Sequence, residues 1–261
     1  MGKFIVIGEN IHCISPVIRE AFATRNPEPI LKRAKDQLDA GADYLDLNIG
    51  PAEADGEELM KWGVQLLQSE FDNVPLALDT ANQKAIRAGL EVYDRTKAKP
   101  IVNSADAGDR ISNIDIAAEY DAIIFALCSK DGIPSDNDER MMYCQELLEY
   151  GMERGMEAED MWFDPLYLVI KGMQDKCLET LEFCRQLADM GLNSTCGLSN
   201  VSNGMPKENR AIVNAAMVAM SIEAGLTSAI LNPCAPLMMQ TIKSCDIIKN
   251  NMLYADSFLT L

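Results

Sequence analysis

The stretch STCGLSNVSNG (residues 194–204) begins as an apolar run, stops on a Ser-Asn pair and passes into a polar loop that contains Gly204. The pattern predicts a strand over 194–200, and a buried strand that ends in an amide either makes a turn or presents a hydrogen-bonding group to something. Outward from it, short apolar runs recur along the chain: FIVIGEN (4–10), YLDLNIG (44–50), VPLALDT (74–80), PIVNSAD (100–106), AIIFALC (122–128), MWFDPL (161–166) and SAILN (228–232). With 194–200 included there are eight candidate strands. Between them, apolar residues at i, i+3, i+4 spacing predict helices over 27–41, 54–72, 82–97, 110–120, 135–155, 175–190, 206–224 and 235–249. DAGADYL (39–45) and EAGLTSA (223–229) each place a glycine where a helix should be capped before the next strand. Such alternation implies parallel pairing through right-handed crossovers. Eight units in 261 residues favour a closed (β/α)8 TIM barrel, one α/β domain over 1–261, rather than an open doubly wound sheet.

Composition narrows the function. The 40 acidic against 23 basic residues give a formal charge of −17, which repels nucleic acid and anionic membrane surfaces. The opening MGKFIVIGEN has an apolar run too short for a signal peptide and lacks the Ser/Thr of a myristoylation site, and no run reaches membrane-spanning length; the expectation is a cytoplasmic protein. Eight cysteines without a CxxC pair, beside a single histidine, predict free thiols in the core or on helix faces rather than disulfides or a zinc site; Cys177 and Cys184 share one helical face.

The polar residues fall where a barrel enzyme builds its site. Seven of the eight candidate strands end in an acceptor or amide: Glu9 and Asn10, Asp46 and Asn48, Asp79, Asn103, Asp164, Ser199 and Asn200, and Asn232. Any one of these can cap the next helix, as DTANQKA (79–85) suggests, but Asp46, Asp79 and Asp164 lie within apolar strands, where a carboxylate is costly unless satisfied. No Arg or Lys lies inside a strand; Lys130 and Arg210 are the nearby bases. A ring of carboxylates and amides suits a neutral ligand rich in hydrogen bonds, such as a pterin or guanine, whose paired N–H donors match one carboxylate. The same oxygens can hold Mg²⁺, and Lys130 in LCSKDGIP (127–134) is the one lysine placed for Schiff-base chemistry, although its loop reads as solvated. His12 reads as structural. A folate-binding or scaffolding barrel without chemistry is the non-enzyme alternative.

LDLNIGP (45–51), LALDTAN (76–82), IVNSAD (101–106), FDPLYL (163–168) and GLSNVSNG (197–204), in that order and spacing, resemble the pterin-binding methyltransferases, most of all the methyltetrahydrofolate:corrinoid protein methyltransferases. The resemblance runs from IGENI to YADSF. It implies a barrel whose mouth binds tetrahydrofolate or 5-methyltetrahydrofolate. Asp79, Asn103 and Asp164 would hydrogen-bond the pterin; Asp46, Asn48, Gly197, Ser199 and Arg210 would complete the binding set. Asn200 would approach N5, making Asn200, Asp79 and Asp164 the catalytic group. The only histidine sits in NIHCIS (10–15), so no DxHxxG cobalamin-binding segment exists, and the corrinoid (cobalamin) is expected on a separate protein docked over the mouth. The resemblance also implies a homodimer in a demethylation or acetogenic one-carbon pathway. Dihydropteroate synthases are similar more distantly, but their late Ser-x-Arg strand and catalytic Lys are missing: the last strand reads SAILN, followed by PCAP.

Overall fold

The computed structural model describes residues 3–259. Met1 and Gly2, where no myristoylation is expected, lie outside the described residues, as do Thr260 and Leu261. Seven strands form one parallel sheet: β1 (Ile5–His12), β2 (Tyr44–Asn48), β3 (Leu76–Asp79), β4 (Ile101–Asp106), β5 (Ile123–Leu127), β6 (Met161–Asp164) and β7 (Ser228–Leu231), in the order β6-β5-β4-β3-β2-β1-β7. Helices α1 (Pro16–Thr24), α2 (Glu28–Asp39), α3 (Gly56–Glu70), α4 (Gln83–Val92), α5 (Asn113–Glu119), α6 (Asn137–Met152), α7 (Ile170–Met173), α8 (Lys176–Asp189), α9 (Lys207–Glu223) and α10 (Pro236–Ile248) fill the connections.

The eight-stranded closed barrel is not what forms. Of the expected strand over 194–200, only residues 194–197 stay extended, and they make single parallel bridges, Phe163 with Ser194 on one side and Gly197 with Ile230 on the other. Four backbone bonds hold the segment: Phe163 N–H to Asn193, Thr195 N–H to Phe163, Ser228 N–H to Ser194 and Ile230 N–H to Cys196, at 2.8–3.0 Å. The physical reason is brevity: the chain leaves extended geometry at Gly197 and turns into a 3-10 helix, Leu198–Ser202, before a ladder can build. The fold is therefore TIM-like, a seven-stranded parallel sheet whose edge strands β6 and β7 are bridged by this short segment.

All eight expected helices are present, each within a few residues of its expected span, although α4 stops at Val92 rather than 97. Gly41 and Gly225, just past α2 and α9, adopt φ of 100° and 99°, the left-handed conformation that glycine takes without a Cβ clash. Helices α1 and α7 were not expected; Pro16 at the first position of α1 is the sequence signal that marks it. All eight cysteines are free, and Cys128, Cys144, Cys184 and Cys196 are buried.

Two apolar layers place the site. Outward-facing Leu45, Leu47, Leu76 and Leu78 pack with Met60 and Val64 of α3 and Ile86 and Leu90 of α4. Inward-facing Ile7, Tyr44, Ala77, Ile101, Ile123, Phe125 and Trp162 fill the interior, where Trp162 stacks on Phe125 at 5.8 Å and meets Tyr44 edge-on at 6.3 Å. A Cβ at Gly89 of α4 would stand 2.6 Å from Met60 Cγ and 2.9 Å from Leu78 Cδ1, so this glycine lets α4 close on α3 and the sheet. Gly89→Ala is expected to destabilise the fold by about 1–3 kcal/mol through overpacking, measured by urea denaturation; an unchanged midpoint would show that the helix yields freely.

Candidate active site

Strand periodicity builds the site directly on the apolar interior. Two residues beyond Ile7, Tyr44, Ala77, Ile101, Trp162 and Ile230 come Glu9, Asp46, Asp79, Asn103, Asp164 and Asn232, so the strands that supply a hydrophobic plug also supply a polar layer above it at their C-terminal ends. The aromatic floor excludes water from below, which makes each carboxylate above it expensive to ionise.

Two amides grip the carboxylates. Asn103 Nδ2 donates to Asp46 Oδ1 at 3.0 Å, and Asn48 Nδ2 donates to Asp79 Oδ2, while Asn48 Oδ1 receives the Gly50 N–H at 2.9 Å. Asp46 is only 4% exposed, and burial together with the neighbouring Asp79 charge pushes its carboxyl well above the usual range. Burial raises Asp79 to about 6, against the opposing pull of Asn48 and the Arg110 guanidinium. Asp164 rises to about 7 for the same reason, burial, offset only by the Leu166 N–H that reaches its Oδ1 at 2.8 Å. The expected residues Asp46, Asn48, Asp79 and Asn103 thus form one connected cluster on three adjacent strands.

The 198–202 turn supplies the other side. Ser199 Oγ donates to Glu9 Oε1 at 2.8 Å. Asn200 is exposed, and its Oδ1 receives Asn203 Nδ2 at 3.4 Å. A Cβ at Gly197 would lie 2.9 Å from Asn200 Nδ2, so the glycine leaves room for that amide. Arg210 holds the turn from α9, donating to Ser202 Oγ at 3.1 Å and Asn203 Oδ1 at 3.2 Å. Asn10 Nδ2 joins Asn232 Oδ1 at 2.8 Å, knitting β1 to the end of β7.

Some sequence expectations change. The base-free ring is corrected: Arg110, paired with Asp106 at 2.7 Å and bonded to Ser104 Oγ at 3.2 Å, lies close enough to act on Asp79. Its signal was the i,i+4 pair in DAGDR (106–110), which reads as a helix-surface pair. Lys130 is exposed and pairs with Glu146 at 3.1 Å. His12 has its pKa lowered by burial and then by Arg33. Among the described residues, no group of three or more His, Cys, Asp or Glu side chains is arranged to hold a metal ion.

A family model described as pterin binding enzyme matches residues 15–232. The chain belongs to the pterin binding enzyme family. This pterin binding enzyme is 25% identical over 255 residues to the methylcorrinoid:tetrahydrofolate methyltransferase of Eubacterium limosum, covering 95% of this chain and 92% of that one. It is 28% identical over 254 residues to the methionine synthase of Mycobacterium tuberculosis, where the match takes in 92% of this chain but only 21% of the larger protein. Among solved structures, DHPS of Yersinia pestis with a pterine-sulfa conjugate aligns at a TM-score of 0.73 and 17% identity, over 95% of both chains. The 7,8-dihydropteroate synthase of Vibrio fischeri aligns at 0.72 and 12% identity, over 96% of this chain and 94% of that one. At those identities the structures establish the shared fold. No helix among the described residues is long and apolar enough to cross a membrane.

The raised carboxyls make a stability prediction. Folded Asp164 holds its proton up to about 7, whereas the unfolded chain releases it near 3.8, so between those values stability falls as pH rises and above them the full penalty stands. Asp164→Asn removes that penalty. It is expected to stabilise the empty protein at pH 8 by about 1–3 kcal/mol and to lose the advantage towards pH 4, read by thermal denaturation at both values. A destabilised variant at pH 8 would mean that the carboxylate is structural.

Proposed function

We propose that this chain, folded as a single domain, is a methyltransferase that moves a methyl group between N5 of tetrahydrofolate and the cobalt of a corrinoid carried by a separate protein. The observation that carries the reading is the polar layer itself: Asp46, Asp79 and Asp164, set on a dry floor and oriented by Asn103, Asn48 and the Leu166 N–H. Such groups are poor at rest and good against a neutral ring with paired N–H donors, because a desolvated carboxylate gains most from donors that arrive with the ligand. Similarity along 92% of a protein named for methylcorrinoid:tetrahydrofolate transfer supports the choice of chemistry over other pterin enzymes. So does the absence of an arginine or lysine in SAILN (228–232).

In this reading Asp79, Asn103 and Asp164 hydrogen-bond the pterin, with Asp46 and Asn48 behind them, and Arg210 braces the turn that carries Asn200. Asn200 faces N5. When tetrahydrofolate takes the methyl group, its N5 lone pair makes the new bond; in the reverse direction N5 must gain positive character before it can leave. An amide serves both directions, since its oxygen accepts from N5–H and its nitrogen donates to the N5 lone pair. The relative's name gives the direction from methylcorrinoid to tetrahydrofolate, and we assign that direction here.

Mixing the protein with tetrahydrofolate and methylcobalamin, and separately with methyltetrahydrofolate and cob(I)alamin, tests this through the cobalt absorption spectrum. Methyl transfer is expected in both mixtures. Asn200→Ala is expected to slow transfer by about 100-fold or more while weakening tetrahydrofolate binding far less, the mark of an interaction made mainly in the transition state. Equal losses in rate and affinity would remove the N5 role. Bound tetrahydrofolate with no spectral change in either mixture, even with a corrinoid protein present, would leave a folate-binding barrel without corrinoid chemistry.

A further inference from the structure

One half-buried carboxyl in the mouth has no part in that scheme. Glu9 sits where β1 bulges: the register steps from Gly8 opposite Leu45 to Ile11 opposite Leu47, so Glu9 and Asn10 together oppose Asp46. Bulges re-aim side chains, and this one sets Glu9 beside the carboxylate cluster. Its Oε1 accepts the Ser199 hydroxyl at 2.8 Å, and Ser199 directly precedes Asn200. Glu9 thus ties the first strand to the turn that carries the N5-facing amide. The charged groups that face it are Asp46 from β2 and Arg210 from α9. Burial pushes the Glu9 carboxyl above the ordinary glutamate range, with Ser199 and then Arg210 pulling it back.

Methyl transfer to tetrahydrofolate leaves a proton to place. The N5 lone pair forms the N–C bond, the Co–C bond breaks with its electron pair left on cobalt, and the N5–H bond breaks with its pair left on nitrogen. In that reading Asp79 and Asp164 are engaged with the ring, and Asp46 is engaged with Asn103 behind it. Asn200 neither takes nor gives up a proton near neutrality. We propose that Glu9 takes this proton through Ser199, whose hydroxyl accepts from the N5 side while passing its own proton to Glu9 Oε1. The reverse reaction uses the same path to protonate N5. The inference rests on the methyltransferase reading above, and Glu9 acts in it as a proton-holding residue that works through Ser199.

The test is a single-turnover methyl transfer from methylcobalamin to tetrahydrofolate, followed from pH 5 to 9 for wild type, Glu9→Gln and Ser199→Ala, with tetrahydrofolate affinity measured by calorimetry. Glutamine keeps a hydrogen-bond acceptor for Ser199 but holds no proton. Glu9→Gln is expected to slow transfer by about 100-fold at pH 7, flatten the pH profile and leave tetrahydrofolate affinity within about threefold. Ser199→Ala should flatten the profile in the same way, and it decides alone if Glu9→Gln does not fold. Wild-type rates and profiles in both variants would overturn the proton role and leave the methyltransferase reading standing. A wild-type protein that binds tetrahydrofolate but transfers no methyl group would overturn both.

Discussion

Everything at the mouth depends on carboxylates held above a floor that water does not reach. Trp162, Phe125 and Tyr44 close the interior from below, and on every strand but β5, where Leu127 follows Phe125, the next inward residue is polar. Desolvation is therefore built into the strands themselves. Asp46 and Asp79 lie on adjacent strands; the Asp79 charge adds to burial in raising the Asp46 carboxyl, while Asn103 and Asn48 each turn an N–H towards one of the two. The arrangement is stable enough to persist and polar enough to need a ligand. In that sense the site stores unfavourable electrostatics that binding can relieve.

The fold and the cluster were largely legible in the sequence, for one shared reason. A strand shows its inward face as every second residue, so YLDLN (44–48) and LALD (76–79) announce both the plug and the carboxylate above it. Glycines past α2 and α9 marked helix ends for an equally local reason. What failed was non-local. Whether Ser194–Gly197 pairs as a full strand depends on how much extended chain remains before the 198–202 turn, which composition does not reveal. Arg110 was missed among the nearby bases, because only the packing of the loop after β4 brings its charge towards Asp79. Glu9 was visible as a strand-end acceptor, but its bond to Ser199 joins residues 190 positions apart.

The net charge of −17 adds a constraint on whatever docks here. Acidic groups crowd the rim as well as the interior: Glu53, Asp55, Glu57 and Glu58 line a cleft of about 870 Å³ beside the loops after β2 and β3. The bases that touch the site, Arg110 and Arg210, are both spent on internal hydrogen bonds, to Asp106 and Ser104 in one case and to Ser202 and Asn203 in the other. They shape loops and temper neighbouring carboxylates rather than offering a free anion site. A neutral heterocycle is the ligand such a mouth accommodates best.

The central claim, that a ligand with paired N–H donors relieves desolvated carboxylates, is most directly tested by calorimetry of tetrahydrofolate binding near pH 6.5 in buffers of different ionisation enthalpy. With Asp79 at about 6 and Asp164 at about 7 in the empty protein, part of that carboxyl population is protonated there. Donors that favour the ionised forms lower both values, so binding is predicted to release protons to the buffer. Binding with no proton release, or with uptake, would contradict the account.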